Sequence, residues 1–288
     1  MTRSILVAAS TVTLAIAAAP AAAQMSDADV LRDFAGLAES VVRIRTVADL
    51  NYSPVDHRVG QDTPGSRPYS VDGTGVVVGR TRVDGNIEYL ILTNHHVADA
   101  SNYVLEDGGY LRVNPRNTMA FPRVAEESYL MKEERDSITG ADMRLIELVR
   151  RVQGDMTLMR TIGAQRELGV FEGEIGYRAG EIAPGHRVVT SGYPWGRHQI
   201  AAIGTILEVD FPHDLGIAHA DFVVDLPVEP GQSGGPVFLV EEGEEGVVYR
   251  LIGLVHAKDR ERNYAVPFDL WEEALPDFPA ELQERLVR

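Results

Sequence analysis

The sequence predicts an all-β protein built as two antiparallel β-barrels. Three observations lead there. Short apolar runs of strand length recur from residue 40 to residue 255, separated at close spacing by glycine, proline and asparagine turns, the pattern of a sandwich or barrel. A serine stands in a glycine-flanked turn, Pro230-Gly231-Gln232-Ser233-Gly234-Gly235-Pro236, directly before one such run. A histidine pair, His95-His96, ends an earlier run, and acids lie between the two. The order along the chain is therefore histidine, acid, serine, which goes with paired antiparallel barrels.

Taken in order, the chain opens with Arg3, an uncharged apolar run over 5–19 and the small residues Ala21-Ala22-Ala23. That is the anatomy of a secretory signal peptide cleaved after Ala23. Residues 28–41 carry Val30, Leu31, Phe34, Leu37 and Val41 near helical spacing and predict a short helix. Residues 40–47 alternate as a strand. Residues 49–70, with Pro54, Gly60, Pro64, Gly65 and Pro68, read as a long exposed loop. Residues 75–78 and 89–92 are strands around an Asp84-Gly85-Asn86 hairpin turn. Residues 126–135 are charged and read as a surface loop, 145–149 as a strand, and 155–159 as the next run. The glycine-rich stretch 173–185 marks the boundary between two halves. Residues 187–190, 203–207, 222–224, 237–240 and 247–255 are further strands, with an acidic hairpin tip at 241–246. Residues 268–286 predict an amphipathic helix broken at Pro276 and Pro279.

Composition narrows the functions. The 288 residues carry a formal net charge of −16, with 44% hydrophobic and 24% charged residues, an ordinary globular balance. The acidity argues against nucleic acid or an anionic membrane as partner. There are no cysteines, which excludes a disulfide framework, a thiol nucleophile and thiolate metal ligands. No His-Glu-x-x-His occurs, and His213 and His219 lie six apart, so no zinc-protease motif is present. After the leader, no segment is long and apolar enough to span a bilayer.

A serine hydroxyl in a glycine-flanked turn can act as a nucleophile if a base takes its proton. The N–H groups of such a turn can hold a developing oxyanion. His95 and His96 offer the base. An α/β-hydrolase needs a helix after the serine and then acid before histidine. Here Pro236 and a β run follow, and the one later histidine, His256, precedes Asp259. Gly73-Thr74-Gly75 is not followed by a helix pattern, so it is no dinucleotide fingerprint.

At this point the chain resembles the bacterial trypsin-like serine peptidases of chymotrypsin fold, nearest the Deg/Htr protease domain without PDZ domains. Gly73-Thr74-Gly75-Val76, Leu92-Thr93-Asn94-His95-His96-Val97, Gly192-Tyr193-Pro194, the Ser233 turn, Leu251-Ile252-Gly253-Leu254 and Tyr264-Ala265-Val266-Pro267 match in order. The resemblance implies two six-stranded barrels with short N- and C-terminal helices: a leader over 1–23, the first barrel over 24–172 and the second over 173–288. It implies His96, not His95, as base, and a cleft site between the barrels. The implied activity is an exported, periplasmic or secreted serine endopeptidase acting on proteins or peptides, with no cofactor and no metal. The oxyanion donors are the backbone N–H groups of Gly231 and Ser233. Two departures stand out. Thr157 replaces the usual alanine two residues after the acid, and Gln232 replaces the acid that pairs with a newly cut N-terminus in digestive zymogens.

Asp155 and Asp142 compete as the orienting acid, since each precedes an apolar stretch. The β run over 145–149, the small Thr157 and the family spacing to Gly192-Tyr193-Pro194 favour Asp155. The substrate pocket is expected from Val228, Val255, His256 and Ala257, giving a preference for small or medium apolar residues. A glutamate preference through His256, as in glutamyl endopeptidases, is the alternative. A catalytically weak peptide-binding or scaffold protein on the same fold is the other functional reading.

Overall fold

Valine- and isoleucine-rich runs joined by turns that need positive φ make hairpins, and the first of them shows the rule at work. Strand β2 (Ser66–Val83) turns into β3 (Asn86–Thr93) through Asp84 and Gly85, at φ +51° and +85°. Positive φ at both central residues is the mirror-image turn whose twist suits a hairpin. The computed structural model describes residues 25–51, 66–98, 103–106, 109–112, 127–131, 142–145, 155–162, 167–212, 220–243, 246–268 and 280–287.

The first barrel also contains β1 (Val41–Asn51), β6 (Glu127–Met131), β7 (Asp142–Leu145) and β8 (Thr157–Ile162), closed in the order β1-β2-β3-β8-β7-β6. A two-stranded sheet, β4 (Tyr103–Glu106) with β5 (Gly109–Arg112), stands apart from it. The second barrel is made of β9 (Arg187–Gly192), β10 (Ile200–Pro212), β11 (Ala220–Val224), β12 (Pro236–Gly243), β13 (Gly246–Lys258) and β14 (Asn263–Pro267). It closes in the order β10-β11-β14-β13-β12-β9. All pairings within the barrels are antiparallel, so each barrel is the six-stranded unit expected. Closure leaves no open sheet edge.

Helix α1 (Asp27–Phe34) is capped by Ser26, whose hydroxyl accepts from the Asp29 N–H at 3.2 Å. It buries Val30 and Phe34, and Phe34 meets Phe238 of β12 at 5.6 Å between ring centroids. The N-terminal helix thus packs on the second barrel, although the chain enters the first barrel next. Arg187 of β9 fixes it there with bonds to Asp27, Glu242 and the Met25 carbonyl. The C-terminal helix α3 (Ala280–Gln283, with α2 being His95–Ala98) crosses the other way. Arg285, just after it, donates to the carbonyls of Val78 in the first barrel and of Phe171 and Gly173 in the connecting segment. One apolar cluster runs through the boundary, from Val76, Val78, Leu92 and Leu158 to Phe171, Phe238, Leu254 and Leu286. Each barrel keeps a smaller core of its own. The two halves drawn from sequence therefore exchange their terminal helices. Among the described residues no helix is long and apolar enough to cross a membrane.

Two local expectations change, and two more fall partly outside the described residues. Of the loop expected over 49–70, residues 49–51 and 66–70 continue β1 and β2, paired from Asp49↔Pro68 to Asn51↔Ser66; the rest lies outside the described residues. In an antiparallel ribbon alternate N–H groups point away from the partner, which accommodates a proline. The charged stretch over 126–135 contains β6, held by pairing to β1 on one side and β7 on the other. Of the strand expected at 145–149, Leu145 ends β7 and 146–149 lie outside the described residues. Of the helical pattern over 268–286, 269–279 lie outside the described residues, and α3 starts after Pro279.

Arg285 ties the first barrel to the connecting segment by several charge-assisted bonds to carbonyls that would otherwise be left without that donor. Arg285→Ala is expected to lower stability by about 2–4 kcal/mol. Urea unfolding should show the midpoint falling while the slope is kept.

Candidate active site

Strand β3 delivers its end to the cleft. Asn94 follows it and sends its side-chain N–H to the Asp155 carbonyl at 2.7 Å. The short helix α2 then places His96, not His95, against Asp155. The His96 backbone N–H meets Asp155 Oδ1 at 2.8 Å, and its Nδ1 makes a very short contact with Asp155 Oδ2. Bonding at Nδ1 leaves Nε2 as the imidazole atom that can accept a proton. Burial alone would push the Asp155 carboxyl up. The charge and hydrogen bond of His96, the charge of His256 and the His96 backbone N–H outweigh it and hold the group well below the usual carboxylate range.

The serine turn comes from the second barrel. Gly231 and Gly234 hold φ of +93° and +81°, which a residue with a Cβ adopts only under strain. Within the turn, the N–H groups of Gln232, Gly234 and Gly235 bond to the carbonyls of Glu229, Val255 and Gln232. Among the described residues, those of Gly231 and Ser233 have no such partner. Two free donors flanking one serine are the arrangement that can hold an oxyanion. The Ser233 hydroxyl donates to the His256 carbonyl oxygen at 3.4 Å.

Thr74 joins the two halves of the site. It is fully buried. Its N–H bonds to the Ser233 carbonyl at 2.8 Å, and its hydroxyl donates to the Gly231 carbonyl at 2.8 Å while accepting from the Tyr193 N–H at 3.1 Å. Thr93 in turn donates to the Thr74 carbonyl at 2.6 Å.

Residues 73–248, more than half of the chain, match the family model for the trypsin-like peptidase domain. The chain belongs to that family. No curated protein sequence matches it. Among solved structures, this trypsin-like chain resembles a variant of the HtrA-type protease AlgW with a decapeptide, at 17% identity and TM-score 0.54, over 84% of this chain and 64% of that one. It also resembles Deg5, at 15% identity and TM-score 0.52, over 91% of this chain and 99% of that one. The chain thus spans a little under two thirds of the AlgW chain. At such identities the likeness is one of fold.

The other expected residues fall differently within this trypsin-like frame. Asp142 opens β7 and pairs with Ile162, at the far end of β8. That is about 17 Å along the strand from Thr157, at roughly 3.3 Å per residue. Val228 and Val255, expected as pocket walls, pack in the second barrel's own core with Ile206, Leu226 and Val237. His256, the third expected wall, is buried, with its ring nitrogens 3.3 Å from Asp155 and 3.4 Å from Asp221. Ala257 is half-buried. β13 lies between two cores, with Leu254 in one apolar cluster and Val255 in the other. The sequence pattern singles out neither Thr74 nor Asp221. Asp221 does carry a signal, being an acid inside the apolar run that ends in Phe222-Val223-Val224, where a carboxylate needs a partner. His96, Asp155 and His256 bring possible ligand atoms within 4.8 Å of one another. Their contacts with each other account for the cluster, and we assign it no ion.

The folded-state value of Asp155 lies below its ordinary 3.8. Its contribution to stability is therefore fully present above about pH 4 and is lost as pH falls through the folded value. Acid titration of the unfolding free energy should show this as a slope of up to about 1.4 kcal/mol per pH unit from this one proton. Asp155→Asn is expected to remove that part of the slope.

Proposed function

We propose that this protein is an exported serine endopeptidase that cleaves peptide bonds through an acyl-enzyme. What supports the reading most is a first-barrel His96–Asp155 pair and a second-barrel serine turn with two free N–H groups, with Thr74 of the first barrel bonded into that turn. Family membership supports it, and AlgW's decapeptide complex supports a peptide substrate. Ser233 Oγ turns from the His256 carbonyl to His96 Nε2, gives up its proton and attacks the scissile carbonyl carbon. The Gly231 and Ser233 N–H groups hold the resulting oxyanion. His96 passes the proton to the leaving amine, the C–N bond breaks and an ester to Ser233 remains. Water, deprotonated by His96, then hydrolyses that ester. Asp155 keeps His96 in the tautomer with Nδ1–H and stabilises its cation. The chemistry calls for no metal or cofactor.

The hydroxyl's bond to the His256 carbonyl favours a second reading, a peptide binder on the same fold with little catalysis. Labelling with a serine-reactive phosphonate separates the two: the peptidase reacts at Ser233 and the binder does not. In peptide-library cleavage, Ser233→Ala and His96→Ala are expected to abolish turnover with the fold intact, while His95→Ala keeps substantial activity. Asp155→Asn is expected to lose about 10⁴-fold, the scale on which an amide in place of the acid leaves a triad histidine in the wrong tautomer. Asp142→Asn is expected to stay near wild type. Equal losses from both histidine changes in folded protein would count against the assignment of His96.

Export rests on the leader-like start of the chain. Met25 N–H bonds to Glu242 at 2.8 Å and Ser26 caps the first helix, contacts that a chain beginning at Gln24 retains. N-terminal sequencing of exported protein is expected to begin at Gln24. A chain still starting at Met1 in the membrane fraction would make the segment an anchor.

A further inference from the structure

His256 lies where no general rule of strand packing would put a histidine. β13 and β14 slip register there: Val255 faces Ala265 and Ala257 faces Tyr264, so His256 is the extra residue of a β-bulge. Bulges re-aim side chains, and they collect beside active sites. This one aims the imidazole into the boundary between the barrels, with its side chain only 5% exposed. Its Nε2 stands 3.3 Å from Asp155 Oδ2, the same oxygen that meets His96 Nδ1. Its Nδ1 stands 3.4 Å from Oδ2 of Asp221, a carboxylate on β11 that is wholly buried. The His96 and His256 rings are 6.1 Å apart.

We propose that Asp221 and His256 form a second carboxylate–histidine pair that holds Asp155 for the reaction, with His256 a positioning residue acting through Asp155 on His96. A neutral imidazole has one N–H and can donate to one carboxylate, whereas the imidazolium donates to both. Both ring nitrogens of His256 face carboxylate oxygens, so only its imidazolium form can donate to Asp155 and Asp221 at once. With His256 protonated, the cluster of Asp155, Asp221, His96 and His256 carries one net negative charge when His96 is neutral. It carries none when His96 has taken the serine proton. Without the His256 proton the same step would leave a buried net charge, which is costly. Tyr264 of β14 also senses Asp221, and its hydroxyl donates to Asp259 at 2.6 Å. On β13 itself, Lys258 is paired with Glu229 at 3.0 Å.

The kinetic arm of the test rests on the peptidase reading; the spectroscopic arm does not. His256→Gln, Asp221→Asn and the double variant are compared with wild type. The double variant leaves no unpaired buried carboxylate and covers the case in which His256→Gln fails to fold. Turnover of one fluorogenic peptide, taken from the wild-type library, is split into kcat and KM. Phosphonate labelling of Ser233 is timed, and the downfield NMR signal of His96 Nδ1–H is titrated in ¹⁵N-labelled protein. Each variant is expected to lower kcat about 10- to 100-fold, the range spanned by one hydrogen bond to a charged group, with KM within about twofold. His256→Gln and the double variant should also move the His96 titration to higher pH, because a cation beside Asp155 is gone. A merely structural role would leave that titration where it is. Folded variants with unchanged kcat and an unmoved His96 signal would overturn the proposal. If wild type neither cleaves nor labels, the peptidase reading fails, and the His96 titration alone decides the positioning role.

Discussion

The site depends on the bonds that gather at Thr74. A cleft enzyme of two barrels needs its base and its nucleophile held in one register, although they belong to separate sheets. Thr74 does this with its backbone N–H on Ser233, its hydroxyl between Gly231 and Tyr193, and its carbonyl under Thr93. The hydroxyl's proton has one acceptor, the Gly231 carbonyl, because the Tyr193 N–H occupies the oxygen as a donor. This bond fixes the plane of the Gly231–Gln232 peptide, whose N–H, that of Gln232, closes the turn on the Glu229 carbonyl. Gly234 has no side chain for the same reason: a Cβ there would collide with the Thr74 carbonyl. Valine in place of Thr74 would fill the space and break the register, since a buried acceptor would lose its donor.

Around that joint the structure sets charge against burial. Asp155 and Asp221 are two carboxylates placed where water is excluded, which is tolerated only with partners of opposite sign. Each acid lies beside an imidazole, Asp155 against His96 and His256 and Asp221 against His256. The depressed value of Asp155 shows the outcome: its ionised form is held against a burial effect that by itself acts the other way. Elsewhere the ion pairs serve packing. Arg250 reaches Glu181 and Glu241 at 2.7 and 2.5 Å on the flank of the second barrel, away from the cleft residues. Arg187 fastens α1 to the same barrel. The site and the flank use the same chemistry, but at the site the acids face imidazoles rather than guanidinium groups.

How much of this is legible in the sequence follows from the range of each interaction. The hairpin at Asp84-Gly85 is legible because two adjacent residues determine it. The barrels are legible because strand-length apolar runs and turns recur. His96 and Ser233 stand out since each sits beside an apolar run, in a motif read within a few residues. Residues 66–70 and 127–131 read as loops from sequence because their strands depend on partners far along the chain, which outweigh prolines and charges locally. Asp221 and His256 meet across thirty-five positions of chain through a bulge, and no local pattern signals which way a bulged side chain will turn. Val228 and Val255 show the converse. Their apolar character is plain in the sequence, but alternation along one strand does not say which of two cores receives them.

Gln232 completes the argument about how the site is held ready. An acid before the serine would be buried here and would need an ammonium partner to keep its turn in shape. Gln232 is neutral and buried, and its side-chain oxygen accepts the Glu229 N–H at 2.7 Å. Its stem packs on Gly192, where a Cβ would stand 3.2 Å from Gln232 Cγ. Its own N–H and carbonyl close the turn on Glu229 and Gly235. The serine turn is therefore braced by groups within reach of its own backbone, by Thr74 from the first barrel, and by Val255 from β13. None of these braces requires a new chain end. A turn built this way takes its shape from folding itself.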